Sequence, residues 1–158
     1  MPGGEPRARA RSSTSRPAAA LAWVDGGSRG NPGLAGAGVV LELADGRREE
    51  HTLFLGTATN NVAEYAALLA ALERARRLAV ARIEVRSDSE LLVKQMTGVY
   101  RVRKPHLQRL WLRAQQLARA FRGFAILHVV RGHNASADRL ANLAMDSQES
   151  TLPVPEGM

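Results

Sequence analysis

The sequence predicts an α/β domain: a mixed five-stranded sheet flanked by helices, in the order βββαβααβα. Three observations lead to it. Apolar segments of strand character fill the front of the chain, two of them joined by a strong Asp45-Gly46 hairpin turn. A long segment from Asn61 repeats its apolar residues at helical spacing. Behind it, strand and helix patterns alternate, which adds parallel strands to an antiparallel start.

Leu21–Asp25 reads as the first strand and Gly36–Leu43 as the second, with the hairpin turn leading into a third at His51–Leu55. The helix from Asn61 to about Leu78 carries Val62, Tyr65, Leu68, Leu69, Leu72 and Leu78 on its repeat. Arg82–Ser87 alternates as a strand, and helices follow over Ser89–Met96 and Lys104–Phe121. A strand over Phe124–Val130 and a helix over Ser136–Asp146 complete the order. Trp23 and Trp111 read as core residues.

At 158 residues the chain is one domain, residues 20–148, between a disordered basic tail at 1–19 and a flexible C-terminal tail at 149–158. There is no cysteine, so disulfide frameworks and thiolate metal sites are excluded and a reducing compartment fits; the expected location is the cytoplasm. No apolar run approaches the roughly 18 residues of a membrane span, and no membrane partner is expected. A net charge of +7 points to a polyanionic partner, most simply nucleic acid. Part of that charge is local: Arg7, Arg9, Arg11 and Arg16 against Glu5 give +3 in residues 1–22, leaving +4 for the rest. The Arg- and Ser-rich start also resembles an organelle transit peptide, but a solvated basic tail touching nucleic acid is the preferred reading.

Four carboxylates stand at element boundaries: Asp25 closing the first strand, Glu64 in the first turn of the long helix, Asp88 at a strand-to-helix junction and Asp138 in the first turn of the last helix. Each has an ordinary structural explanation. Asp25 fits an Asx turn, Asn61-Val-Ala-Glu64 a capping box, Asp88 a helix cap, and Asp138 the positive end of a helix dipole. The element order gives them a common one, because functional groups of an α/β sheet gather beyond strand ends and at helix N-termini. Four converging carboxylates repel unless cations neutralise them, and oxygen ligands without a His or Cys cluster suit Mg²⁺ or Mn²⁺. Two such ions about 4 Å apart assist in-line displacement at a phosphodiester. A dinucleotide fingerprint and a P-loop are both absent.

Four ordered blocks resemble the type 1 ribonuclease H family: VDGGSRGNPGLAGAGVVL (24–41), TNNVAEYAALLAAL (59–72), VRSDSELLVKQMTGVYRVRKPHL (85–107) and GHNASADRLANLAMD (132–146). The resemblance implies a ribonuclease H-like fold and an endonuclease that cuts the RNA strand of an RNA/DNA hybrid, leaving 5′-phosphate and 3′-hydroxyl ends. It implies Asp25 bridging two Mg²⁺ ions, Glu64 and Asp88 helping to hold the ion at the leaving oxygen, and Asp138 helping to hold the ion that activates water. Asn60 and Asn61 match residues reaching the minor groove, where the 2′-hydroxyl marks RNA. Asn31 and Thr59 match positions near a DNA phosphate, with turn and cap chemistry as their alternative. Gly26, Gly27 and Gly30 would let the backbone approach the nucleic acid closely.

The chain departs from the family pattern in two places. Many members carry a longer basic handle where only GVYRVRKPH (98–106) stands; Arg101, Arg103 and Lys104 would supply some of its phosphate binding, or form a solvated loop. Many bacterial members also have a histidine on a mobile loop well before the last Asp. His133, five residues before Asp138, does not align with it but remains a candidate for proton transfer. The short form resembles the compact branch of the family, some of whose members also cut double-stranded RNA. The expected protein is a monomer, and its alternatives are a same-fold nuclease acting on double-stranded RNA or structured DNA, or a non-catalytic hybrid-binding module. Truncation to a start near Ala20 is expected to lower the salt dependence of nucleic-acid binding, read as the slope of log K against log[salt], if the tail arginines contact phosphate.

Overall fold

The computed structural model describes residues 19–158, so the expected basic tail lies outside the described residues except for Ala19, which already begins the first strand. In chain order the elements are β1 (Ala19–Arg29), β2 (Gly33–Leu43), β3 (Arg48–Ala58), α1 (Asn60–Arg77), β4 (Arg82–Ser87), α2 (Glu90–Met96), α3 (Pro105–Arg119), β5 (Gly123–His128), a 3₁₀ turn (Arg131–Asn134) and α4 (Ala135–Ser147). The sheet runs β3-β2-β1-β4-β5. Its first three strands are antiparallel, and β4 and β5 join β1 in parallel, as the element order predicts.

Three strands are longer than their apolar patterns. β1 runs four residues past Asp25, β2 starts at Gly33, and β3 spans Arg48–Ala58. The extensions are glycine-rich or polar, so alternation does not mark them; ladder pairing does, with Gly26 opposite Ala37, Gly27 opposite Gly36 and Arg29 opposite Leu34. Asp25 therefore lies within β1 and does not close it. What ends beside Asp25 is the neighbour: the β1–β4 ladder stops at Val24 opposite Ser87, and β4 gives way to Asp88.

Helices cover both faces. Ala20, Ala22 and Val24 of β1 point toward α1, whose Leu68, Leu69 and Leu72 are fully buried in the same core. On the other face α4 lies close against β2. A Cβ added at Gly38 would collide with the Ala137 carbonyl and come within 2.7 Å of Leu140 Cβ. Trp23 differs from its reading as a core residue. It is half-buried on the face away from α1, with the Arg86 guanidinium 5.2 Å from its ring centroid. Trp111 is half-buried against the core, and its indole N–H donates to the Gln95 carbonyl at 3.0 Å.

Residues 149–158, expected as a flexible tail, make specific contacts instead. The Thr151 amide donates to the Thr52 carbonyl at 2.9 Å, and the Phe54 amide donates to Ser150 Oγ at 2.8 Å. Leu152 and Met158 pack on the core, and Arg113 donates to the Glu156 carbonyl at 2.9 Å. The signal was absent from the sequence because these bonds use backbone groups and small hydroxyls from a segment without apolar periodicity. Gly38→Ala is expected to cost about 1–3 kcal/mol, lowering the urea midpoint with m unchanged, because the helix backbone of α4 occupies the space its methyl needs.

Candidate active site

β1 and β2 continue past the end of β4, and the gap so formed is where the carboxylates meet. Asp25 is the first β1 residue without a β4 partner, and it shares the α4-facing side of the sheet with its cross-strand partner Gly38. Asp88 follows β4 directly. It is not a helix cap: Ser89 caps α2, its Oγ accepting from the Leu92 amide at 3.1 Å, which leaves the Asp88 carboxylate uncommitted. Glu64 does not close a capping box either. The cap of α1 is Thr59, whose Oγ1 accepts from the Val62 amide at 3.2 Å, so Glu64 lies two residues further into the helix than a capping box requires. There it accepts from the Gly26 amide at 3.0 Å, across 38 residues of sequence.

That bond needs α1 pressed against β1. A Cβ on Gly26 would fall on the backbone of Ala63 and Glu64, so only glycine allows the approach. Carboxylate oxygens of Asp25, Glu64 and Asp88 lie within 4.8 Å of one another. Asp138 enters from the first turn of α4 and borders the same open cleft of about 580 Å³, though outside that tight group of three.

The electrostatics follow from this crowding. Burial, then the charge of Asp88, then a hydrogen bond with Asp138 and the charge of Asp138 push the Asp25 carboxyl up to about 8. Glu64 is raised well above the usual carboxylate range by burial and by the charges of Asp25 and Asp88. Arg131 opposes both shifts. Its guanidinium is 3.7 Å from Asp138 and highly exposed. The donors are all carboxylate oxygens, already repelling one another, so the set fits a hard divalent cation such as Mg²⁺ or Mn²⁺.

The surrounding polar residues separate into roles. Asn31 Oδ1 accepts from the Asn60 amide at 3.0 Å, which ties the β1–β2 turn to the start of α1. Asn60 Oδ1 accepts from the Ser28 amide at 2.8 Å and the Ser28 hydroxyl at 3.0 Å. Asn31 and Thr59 thus each make the turn or cap bond that their positions allow. Asn60 and Gly27 border the cleft. A Cβ on Gly27 would meet nothing nearer than Asn60 Oδ1 at 3.9 Å, so the fold does not require that glycine. Asn61 is half-buried beside it, and Gly30 takes a positive φ of 99° in the turn. Arg101, Arg103 and Lys104 are exposed in the α2–α3 connection, outside the cleft.

His133 is not in the cleft. It borders a separate hollow with Trp23, Val40, Glu42 and Arg48, because the 3₁₀ turn points residues 131 and 133 in different directions. The same turn sends Arg131 to the carboxylates, a placement that spacing along the sequence did not reveal. Asn134 was also missed. Fully buried, it donates from Nδ2 to the Val24 carbonyl at 2.9 Å, pinning the start of α4 to β1 next to Asp25. Its place within the last block, just ahead of the helix carrying Asp138, was the available signal.

The model of the family described as reverse transcriptase-like matches residues 23–144. Ribonuclease HI of Halobacterium salinarum is 48% identical over 126 residues, covering 79% of this chain and 63% of the relative. Its crystal structure superposes with a TM-score of 0.78 at 46% identity, over 82% of this chain and 98% of that one.

The chain belongs to the ribonuclease H family.

Within that family, the chain spans about a third of a bifunctional protein of Mycobacterium tuberculosis: 48% identity over 126 residues, 78% of this chain and 35% of the relative. The crystal structure of LC11-RNase H1 in complex with an RNA/DNA hybrid matches with a TM-score of 0.75 at 40% identity, over 82% of this chain and 98% of that one.

Asp25 binds a proton in the metal-free fold that the unfolded chain, near 3.8, releases. Its stabilising effect is complete below pH 4 and lost as pH rises through about 8. Urea unfolding of metal-free protein should therefore show stability falling between pH 5 and 8, and Asp25→Asn should flatten that slope and stabilise the fold at pH 8 by at least about 1.4 kcal/mol, the worth of one pKa unit. Millimolar Mg²⁺ should restore wild-type stability at pH 8.

Proposed function

We propose that the protein is an endonuclease hydrolysing the RNA strand of RNA/DNA hybrids to 5′-phosphate and 3′-hydroxyl ends. The observation that carries this reading is the convergence of Asp25, Glu64 and Asp88, with Asp138 beside them, in an open cleft of a ribonuclease H family member. The hybrid in the LC11-RNase H1 complex supports the substrate. The carboxylates would hold two Mg²⁺ ions, or Mn²⁺ in their place, and the chemistry these would supply is activation of the attacking water and stabilisation of the leaving 3′-oxygen.

The chain's own residues hold and orient. Asp25 would hold both ions, with Glu64 and Asp88 helping to hold one and Asp138 helping to hold the other. The Gly26 amide fixes the Glu64 carboxylate, which keeps one oxygen committed and the other free for the cation. Arg131, exposed over Asp138, is placed to meet a backbone phosphate. Asn60 and Asn61 face the minor groove, and Arg101, Arg103 and Lys104 bind phosphates beyond α2. Proton transfer is assigned without His133, which opens on a different hollow. No helix among the described residues is long and apolar enough to cross a membrane. We further propose that the protein works as a monomer in the cytoplasm.

Asp25→Asn and Asp88→Asn should each lower turnover of a labelled hybrid by about 10³-fold or more while hybrid binding survives; retained turnover in both removes the reading. A panel of hybrid, double-stranded RNA and branched DNA, run in parallel with Mg²⁺, identifies the substrate. Replacing Arg101, Arg103 and Lys104 with Gln should reduce the salt slope of hybrid binding by up to about 0.9 per lost phosphate contact.

A further inference from the structure

The domain has a second strongly basic end. Among the described residues, the cations without an ion-pair partner fall into two groups. One comprises Arg101, Arg103, Lys104 and Arg109, in and after the α2–α3 connection. The other comprises Arg76, Arg77, Arg82, Arg119 and Arg122, where α1 and α3 end and β4 and β5 begin. All five are exposed. The two connections that they flank touch: the Arg122 amide donates to the Ala81 carbonyl at 2.8 Å, and Arg82 lies over Gly123, its Nη1 3.0 Å from where a Cβ would be.

This group lies at the end of the sheet opposite the carboxylates, because β4 and β5 start here while Asp88 follows the far end of β4. Ala19 is the register partner of Arg82, so the segment bearing Arg7, Arg9, Arg11 and Arg16 joins the domain at the same end. Nearby carboxylates are already matched: Glu73 with Arg113, Glu84 with Arg86, and Asp45 with Arg47. Glu156, on the rim with Arg76 and Arg77, subtracts one charge.

Helix chemistry accounts for part of the group. Basic residues favour the last turn of a helix, and Arg119 Nε reaches the Gln115 carbonyl at 3.4 Å. It does not account for Arg82, which opens a strand, or Arg122, which precedes one. Five like charges with only Glu156 unmatched beside them repel, and a polyanion relieves that repulsion.

We propose that this end is a second, sequence-independent surface for the backbone of single-stranded nucleic acid, holding the strand that flanks a hybrid lodged in the cleft. The inference rests on the ribonuclease reading for its choice of nucleic acid. Guanidinium forks suit phosphate better than ammonium groups do, and every free cation at this end is an arginine. A duplex in the cleft is too stiff to turn around the domain, with a persistence length near 150 bp. A single strand of about 30 nucleotides, roughly 100 Å long, reaches around a domain whose radius of gyration is about 14 Å.

The test uses the full chain and two hybrids of equal length, one blunt and one with a single-stranded DNA extension of about 30 nucleotides. For the wild type the extension should lower KM about tenfold with kcat unchanged. Replacing Arg76, Arg77, Arg82, Arg119 and Arg122 with Gln should remove that gain and leave kcat and KM on the blunt hybrid intact; replacing the five with Lys should keep most of it. No gain in the wild type, a gain retained by the Gln variant, or a gain lost in the Lys variant overturns the proposal. So does loss, in the Gln variant, of binding to phosphatidylserine vesicles alone. If the blunt hybrid is not cleaved, the ribonuclease reading fails separately, and anisotropy of the labelled 30-nucleotide strand still tests the surface: weaker binding by the Gln variant supports it, and equal binding removes it.

Discussion

The whole site depends on how closely α1 lies on β1 at Gly26. Without a side chain there, the backbone of Ala63 and Glu64 comes down onto the strand, and the Gly26 amide takes the Glu64 carboxylate at 3.0 Å. A methyl group would lift the helix and with it Glu64, separating the one carboxylate that comes from the α1 side from the two held by strands. The same kind of contact operates on the opposite face, where Gly38 lets α4 descend and carry Asp138 to the cleft. Two glycines on neighbouring strands thus set the depth of both helices, and the helices set the distance between carboxylates.

Crowding those carboxylates is costly to the fold, and the cost is confined to one place. The gap left where β4 stops and β1 continues exposes Asp25 to Asp88 and Glu64 while burying it from water, which is why its carboxyl is pushed up to about 8. Asn134, buried and bonded to the Val24 carbonyl, holds the start of α4 in position one residue away. Carboxylates crowded in this way repel one another, and an all-oxygen donor set of this kind fits a hard divalent cation.

Charge is distributed with similar economy. Most surface acids are engaged by arginines, as in Glu49 with Arg74 and Glu50 with Arg48 and Arg139, leaving cations free at two ends of the domain. One group lies in and after the α2–α3 connection, and the other lies at the end of the sheet opposite the carboxylates. The closing segment, residues 149–158, bonds along β3 and reaches α3, and sets only Glu156 beside the second group.

The sequence alone determined the fold class, the element order and the four carboxylates, because periodicity, a hairpin turn and ordered motifs are local signals that survive without contacts. It also marked the short basic connection between α2 and α3. It could not say that Asp25 lies inside a strand, since glycine extensions carry no alternation and only pairing with Ala37 and Gly36 reveals them. Glu64 looked like a cap because capping is local, whereas its partner lies 38 residues away. His133 and Arg131 stand two residues apart in sequence, and only the 3₁₀ turn decides that the arginine faces the carboxylates and the histidine does not. The physical reason is common to all three: spacing sets which residues can meet, but the direction of a side chain is set by the backbone turn and the packed helix beneath it.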